Sequence, residues 1–274
     1  MSPAVWPYPR RLAHRGGGAL APENTLPAFA CGLRHGYRAA ELDAVLSADE
    51  VPVLLHDERL ERTTSGSGLV SEWTAQELSQ LDAGSWFDAG FAQARIPRLT
   101  DVLAFAAANG IWLNIEIKPV PGYERRTGAV VAQTVAAFLA GAGQAQGQDP
   151  GHALGHTPVP VPDRASGPTP VPAPLLSSFS IEALAEAKSV APGLARGLLF
   201  GAIPAHWQQA LEALACVSLH CDHRHLDERR TREIKEAGYG MLCYTVNEPG
   251  RATELEAWGV DAICTDRIDL IAGR

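Results

Sequence analysis

The sequence is poor in the features that place a protein in a membrane, on nucleic acid or outside the cell. No stretch approaches the ~18 uninterrupted apolar residues that a spanning helix needs, so no membrane span is expected. The opening MSPAVWPYPRR lacks the apolar core of an export signal. Basic residues are in the minority, 23 Lys and Arg against 31 Asp and Glu, for a net charge of −8. That balance argues against a nucleic-acid partner, which calls for clustered positive charge. It leaves room for a small anionic substrate, because a local site or a bound cation outweighs distant surface charge. Cysteines are few and odd in number (Cys31, Cys216, Cys221, Cys243 and Cys264), without any C-x-x-C spacing. Cys216, Cys243 and Cys264 sit in apolar strand-like runs, where a free thiol behaves as a small hydrophobe. Reduced, structural thiols favour a cytoplasmic address.

What is present is a rhythm. Short apolar runs alternate with helix-like segments: RLAHRG, AAELDAVLS, VPVLLHD, IWLNIEIK, PLLSSF, ARGLLF, VSLHCD, GMLCYTV and DAICTD read as strands, most of them followed by an amphipathic stretch. AAELDAVLS and VPVLLHD are joined only by the turn ADE. Thr100 is a candidate cap for the helix DVLAFAAANG, and a helix is expected over 123–140. Repeated strand–helix alternation implies parallel strands, and a count near eight favours a closed (β/α)8 TIM barrel. A chain of 274 residues with 46% hydrophobic and 20% charged content suits one such domain, residues 1–274. Two segments break the rhythm. Residues 57–99 lack βα alternation and read as a small insertion after the third strand. Residues 145–172, rich in Pro and Gly, cannot bury enough apolar surface to offset ordering entropy, so a mobile surface loop is expected.

Residues two apart on a strand share a face. Glu41 and Asp43 therefore point one way in AAELDAV while Ala40, Leu42 and Ala44 point the other, and Glu116 pairs similarly with Lys118 in LNIEIK. Two inward carboxylates repel one another and resist desolvation unless a cation lies between them. A third acid on a neighbouring strand would complete an all-oxygen site for a hard cation, Mg²⁺ or Ca²⁺. The plain alternative is that Glu41 and Asp43 lie on a solvent-facing strand edge. His14 and His56 close strands, where barrel active sites are built, and suit an acid–base pair. Arg15, Lys118 and the backbone N–H groups of Gly16–Gly18 could hold a phosphate. In the following PENT, Asn24 or Thr25 caps a helix, and Glu23 either orients Arg15 or His14 or has a plain surface role. A rival zinc site is conceivable at HCDHRH, from His220, Cys221, His223 and His225.

The ordered set H-R-G, P-E-N-T, E-L-D, V-x-x-H-D, E-I-K and T-V-N…G-V-D-A-I-x-T-D, running from Leu12 to about Ile268, resembles the glycerophosphodiester phosphodiesterase family. The resemblance implies a metal-dependent barrel hydrolase acting on a small-molecule glycerophosphodiester. Its metal ligands would be Glu41, Asp43 and Glu116, holding one divalent cation, and its acid–base pair His14 and His56. Arg15 and Lys118 would contact phosphate, with Glu23 and Asn24 in support. Tyr244 stands where tryptophan is frequent in the family and would line the pocket, with Phe179 as a second wall. The alternative to an enzyme is a barrel that binds a phosphodiester or sugar phosphate without turning it over.

Overall fold

The computed structural model describes residues 6–144 and 171–273. The Pro-rich segment 145–172 lies, but for its last two residues, outside the described residues. Nine strands form one sheet: β1 (Arg11–Ala13), β2 (Ala39–Leu46), β3 (Pro52–Leu54), β4 (Trp112–Ile117), β5 (Leu175–Ser178), β6 (Ala195–Phe200), β7 (Ser218–Asp222), β8 (Gly240–Tyr244) and β9 (Ala262–Thr265). Eight of them are parallel, and β1 pairs with both β9 and β2, which closes the ring. The fold is a closed (β/α)8 TIM barrel. The strand carrying VPVLLHD, third in chain order, stands outside that ring. It pairs antiparallel with β2, because the turn ADE is too short for the crossover that a parallel neighbour requires.

Eight α-helices accompany the strands among the described residues: α1 (Leu26–Arg34), α2 (Ala75–Leu78), α3 (Leu99–Asn109), α4 (Glu124–Gln144), α5 (Ile181–Val190), α6 (Trp207–Leu214), α7 (Glu228–Glu236) and α8 (Pro249–Trp258). Thr25 caps α1, its hydroxyl accepting from the Ala28 N–H. Thr100 does not cap α3. Arg98 holds that position, with the Asp101 carboxylate accepting from its N–H, and Thr100 lies inside the first turn. Between β3 and α3 the chain makes α2 and two 3-10 turns, and Leu60, Val70, Ala75, Leu78 and Ile96 gather with Val45, Val53 and Leu55 into a small core of their own.

The strand period sorts the barrel residues. Ala40, Leu42 and Ala44 of β2, and Leu113, Ile115 and Ile117 of β4, face the helices and belong to the main hydrophobic core. The opposite face of each strand points into the barrel. At the N-terminal end that interior is apolar, filled by Leu12, Ala39, Trp112, Leu175 and Ala262. Tyr8 stacks on Trp112, ring centroids 4.4 Å apart, and Trp6 meets both edge-on. Gly240 permits this: a Cβ there would stand 2.7 Å from the Trp6 ring. The polar residues are thereby confined to the C-terminal mouth. Trp112→Ala is expected to cost about 3–5 kcal/mol in urea denaturation, the usual toll of emptying a buried aromatic site, and to flatten the near-UV circular dichroism.

Candidate active site

Strand β2 delivers Glu41 and Asp43, and β4, in parallel register with Asp43 opposite Glu116, delivers the third acid. One carboxylate oxygen from each lies within 4.8 Å of the others, and the three residues are 6%, 1% and 9% exposed. The solvent-edge alternative for Glu41 and Asp43 is thereby overturned. Burial first, then repulsion from Asp43 and Glu116, pushes Glu41 well above the ordinary carboxylate range. Burial and Asp43 push Glu116 up to about 7. Burial works against ionisation at Asp43 too, but Arg15, His56, Lys118 and a hydrogen bond from Asn24 outweigh it and hold Asp43 below its usual range. Close acids with too little positive charge around them fit a cation, and an all-oxygen donor set fits a hard one. Among the described residues this is the one group of three His, Cys, Asp or Glu side chains near enough to share an ion.

Positive and titratable groups surround the acids. Arg15 donates from its backbone N–H to Glu41 Oε2 (3.2 Å) and from Nη1 to Glu23 Oε1 (2.7 Å), while its Nε lies 3.4 Å from Asp43 Oδ2. Lys118 Nζ is 3.4 Å from Glu116 Oε1, 3.9 Å from Asp43 Oδ1 and 3.2 Å from His56 Nε2. Asn24, with a left-handed φ of 57°, clamps Asp43 from both sides: its Nδ2 donates to Oδ2 (2.8 Å) and its Oδ1 accepts from the Asp43 N–H (3.2 Å). Glu23 thus orients Arg15, not His14.

Each histidine has a carboxylate behind it. His14 Nδ1 lies 2.6 Å from Asp266 Oδ1, and its Nε2 lies 3.8 Å from Glu41 Oε2. His56, two residues beyond β3, has Nδ1 2.6 Å from Asp57 Oδ1 and Nε2 toward Lys118. A carboxylate on one ring nitrogen fixes the tautomer and leaves the other nitrogen for the pocket. Burial lowers the His56 pKa, helped by Arg15 and Lys118 and opposed by Asp43. Asp57 is held down to about 2 by the hydrogen bond from Arg62, against burial. Asn247 steadies Asp266, donating to Oδ2 (3.0 Å) and accepting from the Asp266 N–H (2.8 Å).

The glycine loop works differently from the expectation. The Gly16 and Gly18 N–H groups donate to Ala13 O and His14 O, so these two close the turn, and of the three glycine amides the expectation stays open only for Gly17. Gly18, at φ +54°, lets the loop pack on the Asp266 segment, where a Cβ would stand 2.2 Å from Asp266 O. The loop therefore seats the carboxylate behind His14.

The mouth opens on a cavity of about 460 Å³. Tyr244 and the half-exposed Phe179 meet edge to face across 6.0 Å in its wall, and the Tyr244 hydroxyl donates to Phe200 O. His220 also lines the cavity, fully buried beside Ser218 Oγ at 2.9 Å, and burial pushes its pKa down to about 3. The zinc reading of HCDHRH fails on strand period. Cys221 points to the other side of β7, into the helix-facing core beside Cys243, with the two sulfurs 3.8 Å apart, while His223 and His225 belong to a separate 3-10 turn. The sequence reading gave no role to Asp57, Asp266, Asn247 or Arg62. Asp57, Asn247 and Asp266 were visible only as the D of HD, the N of TVN and the D of TD, and nothing local signals Arg62.

Known proteins resemble this chain over nearly its whole length. The glycerophosphoryl diester phosphodiesterase family matches residues 14–153 and 172–270. A glycerophosphodiester phosphodiesterase of Caldanaerobacter subterraneus subsp. tengcongensis is 30% identical over 260 residues, 93% of each chain. A phosphodiesterase from Oleispira antarctica, solved with the product sn-glycerol-3-phosphate, superposes with a TM-score of 0.80 at 36% identity, covering 96% of this chain and 95% of that one. A glycerophosphodiester phosphodiesterase from Agrobacterium tumefaciens gives 0.72 at 26%, covering 97% and 100%. The barrel fold and these relatives place the chain among enzymes, the phosphoric diester hydrolases, rather than among silent binding barrels. The chain belongs to the glycerophosphoryl diester phosphodiesterase family.

A cation held at the three acids would compete with a proton for Glu116 below about pH 7. Divalent-ion affinity, followed by titration calorimetry across a pH series, should fall toward acid by about tenfold per pH unit for each proton displaced. In the cation-free protein the stability linkage has the opposite sense: the raised Glu116 pKa adds stability at low pH that is lost as pH rises through about 7.

Proposed function

We infer that the protein hydrolyses glycerophosphodiesters, such as glycerophosphocholine or glycerophosphoethanolamine, to glycerol 3-phosphate and an alcohol, with a divalent cation and two histidines. The observation that carries this reading is the pair of imidazoles. His14 and His56 each have Nδ1 2.6 Å from a carboxylate and turn Nε2 toward the acidic cluster or its lysine. Glu41, Asp43 and Glu116 would hold one Mg²⁺ or Ca²⁺, which when bound neutralises charge on a non-bridging phosphate oxygen. Arg15 and Lys118 bind the remaining phosphate charge and orient the diester, with Glu23 and Asn24 keeping Arg15 and Asp43 in place. One histidine takes the proton of the attacking oxygen, and the other delivers a proton to the departing alcohol as the phosphorus–oxygen bond breaks. The resemblance favours the glycerol 2-hydroxyl as that attacking oxygen, with the resulting cyclic phosphate opened afterwards by water. Phe179 and Tyr244 wall the space for the alcohol. Among the described residues no helix is long and apolar enough to cross a membrane, and the five free, buried cysteines support a cytoplasmic address.

The test is the release of glycerol 3-phosphate from a panel of headgroups with each metal. His14→Ala and His56→Ala should each lower kcat by about 10²–10⁴-fold with little change in Tm. Near-normal turnover in either variant refutes its assigned role.

A further inference from the structure

One arginine of the insertion touches both halves of this machinery without lining the cavity. Arg62 donates from Nη1 to Glu23 Oε2 and from Nη2 to Glu23 Oε1, both at 2.8 Å. The same guanidinium donates from Nε to Asp57 Oδ2 (2.5 Å) and from Nη2 to Asp57 Oδ1 (3.1 Å). Glu23 is the carboxylate that holds the Arg15 side chain, and Asp57 is the carboxylate behind His56. A continuous relay of charge-assisted hydrogen bonds thus runs Arg15–Glu23–Arg62–Asp57–His56. We propose that Arg62 is a positioning residue that fixes Arg15 and His56 in one mutual geometry, so that phosphate binding and proton transfer share a single brace. The inference rests on the roles proposed above for Arg15 and His56.

The chemistry of the side chain supports the assignment. A planar guanidinium presents donors in a rigid fork and satisfies two carboxylates at once, whereas an ammonium is a point charge on a flexible stem. Without Arg62, Glu23 and Asp57 lose the cation they share, and each is free to turn away from the group it holds. The Arg62 side chain is 44% exposed, and ion pairs so open to water add at most ~1 kcal/mol to folding. Its value is therefore geometric: activity depends on it far more than stability does.

The experiment uses the full-length, metal-loaded protein. Arg62→Gln should lower kcat/KM by about 10- to 100-fold, the usual range for a residue that orients a group in the site, with Tm almost unchanged. Arg62→Lys should recover only part of the loss. In a His56→Ala background, Arg62→Gln should cost markedly less than in the wild type, because one of the two groups it positions is already gone. Wild-type kcat/KM in Arg62→Lys, or an equal loss with and without His56, overturns the proposal. Wild-type turnover in His56→Ala alone overturns the functional reading beneath it, a result distinguishable from either of those.

Discussion

Glu41, Asp43 and Glu116 stand within 4.8 Å of one another and nearly out of reach of water, and the mouth of the barrel is organised around that concentration of negative charge. Carboxylates cannot be both crowded and desolvated without compensation. Arg15 and Lys118 provide part of it, and the Asn24 amide gives Asp43 a hydrogen bond that favours its ionised form. The remainder is what a bound cation could supply. A site that is uncomfortable when empty suits a cation, and the proposed function uses it for one.

The hairpin explains how the second histidine reaches this centre. A barrel stave can present only its inward residues, and β2 has used its own on Glu41 and Asp43. Folding β3 back against β2 brings His56 to the same rim from outside the ring, beside Lys118. The excursion that follows is anchored by its own apolar cluster, so Arg62 projects from a stable platform rather than from a loose loop. The insertion is part of the site's construction.

Much of this was legible in the chain. The two-residue spacing of Glu41 and Asp43, with Ala40, Leu42 and Ala44 interleaved, matches the strand's own period, so burial of the acids followed once the apolar face was assigned to the helices. Strand–helix alternation marked the barrel for the same reason. What escaped were relations that exist only in three dimensions. Asp266 is 252 residues from the histidine it touches, and Arg62 looks like any charged residue of an insertion until Glu23 and Asp57 meet around it. Adjacency carries little weight on a strand: His220 and Cys221 are neighbours in sequence but lie on opposite faces of β7, and that separation dissolves the rival zinc site. Nor did anything in the sequence signal that a tight turn consumes two of its own donors, the Gly16 and Gly18 amides.

The aromatic plug of Trp6, Tyr8 and Trp112 closes the end of the barrel opposite the acids. Among the described residues, then, the chamber has a single doorway, and traffic through it is two-way. In the proposed reaction both products would leave by the way the substrate enters, past Arg15, Lys118 and the Phe179–Tyr244 wall. The floor of the barrel, far from any reacting atom, thus keeps every exchange on the side where the charged groups stand.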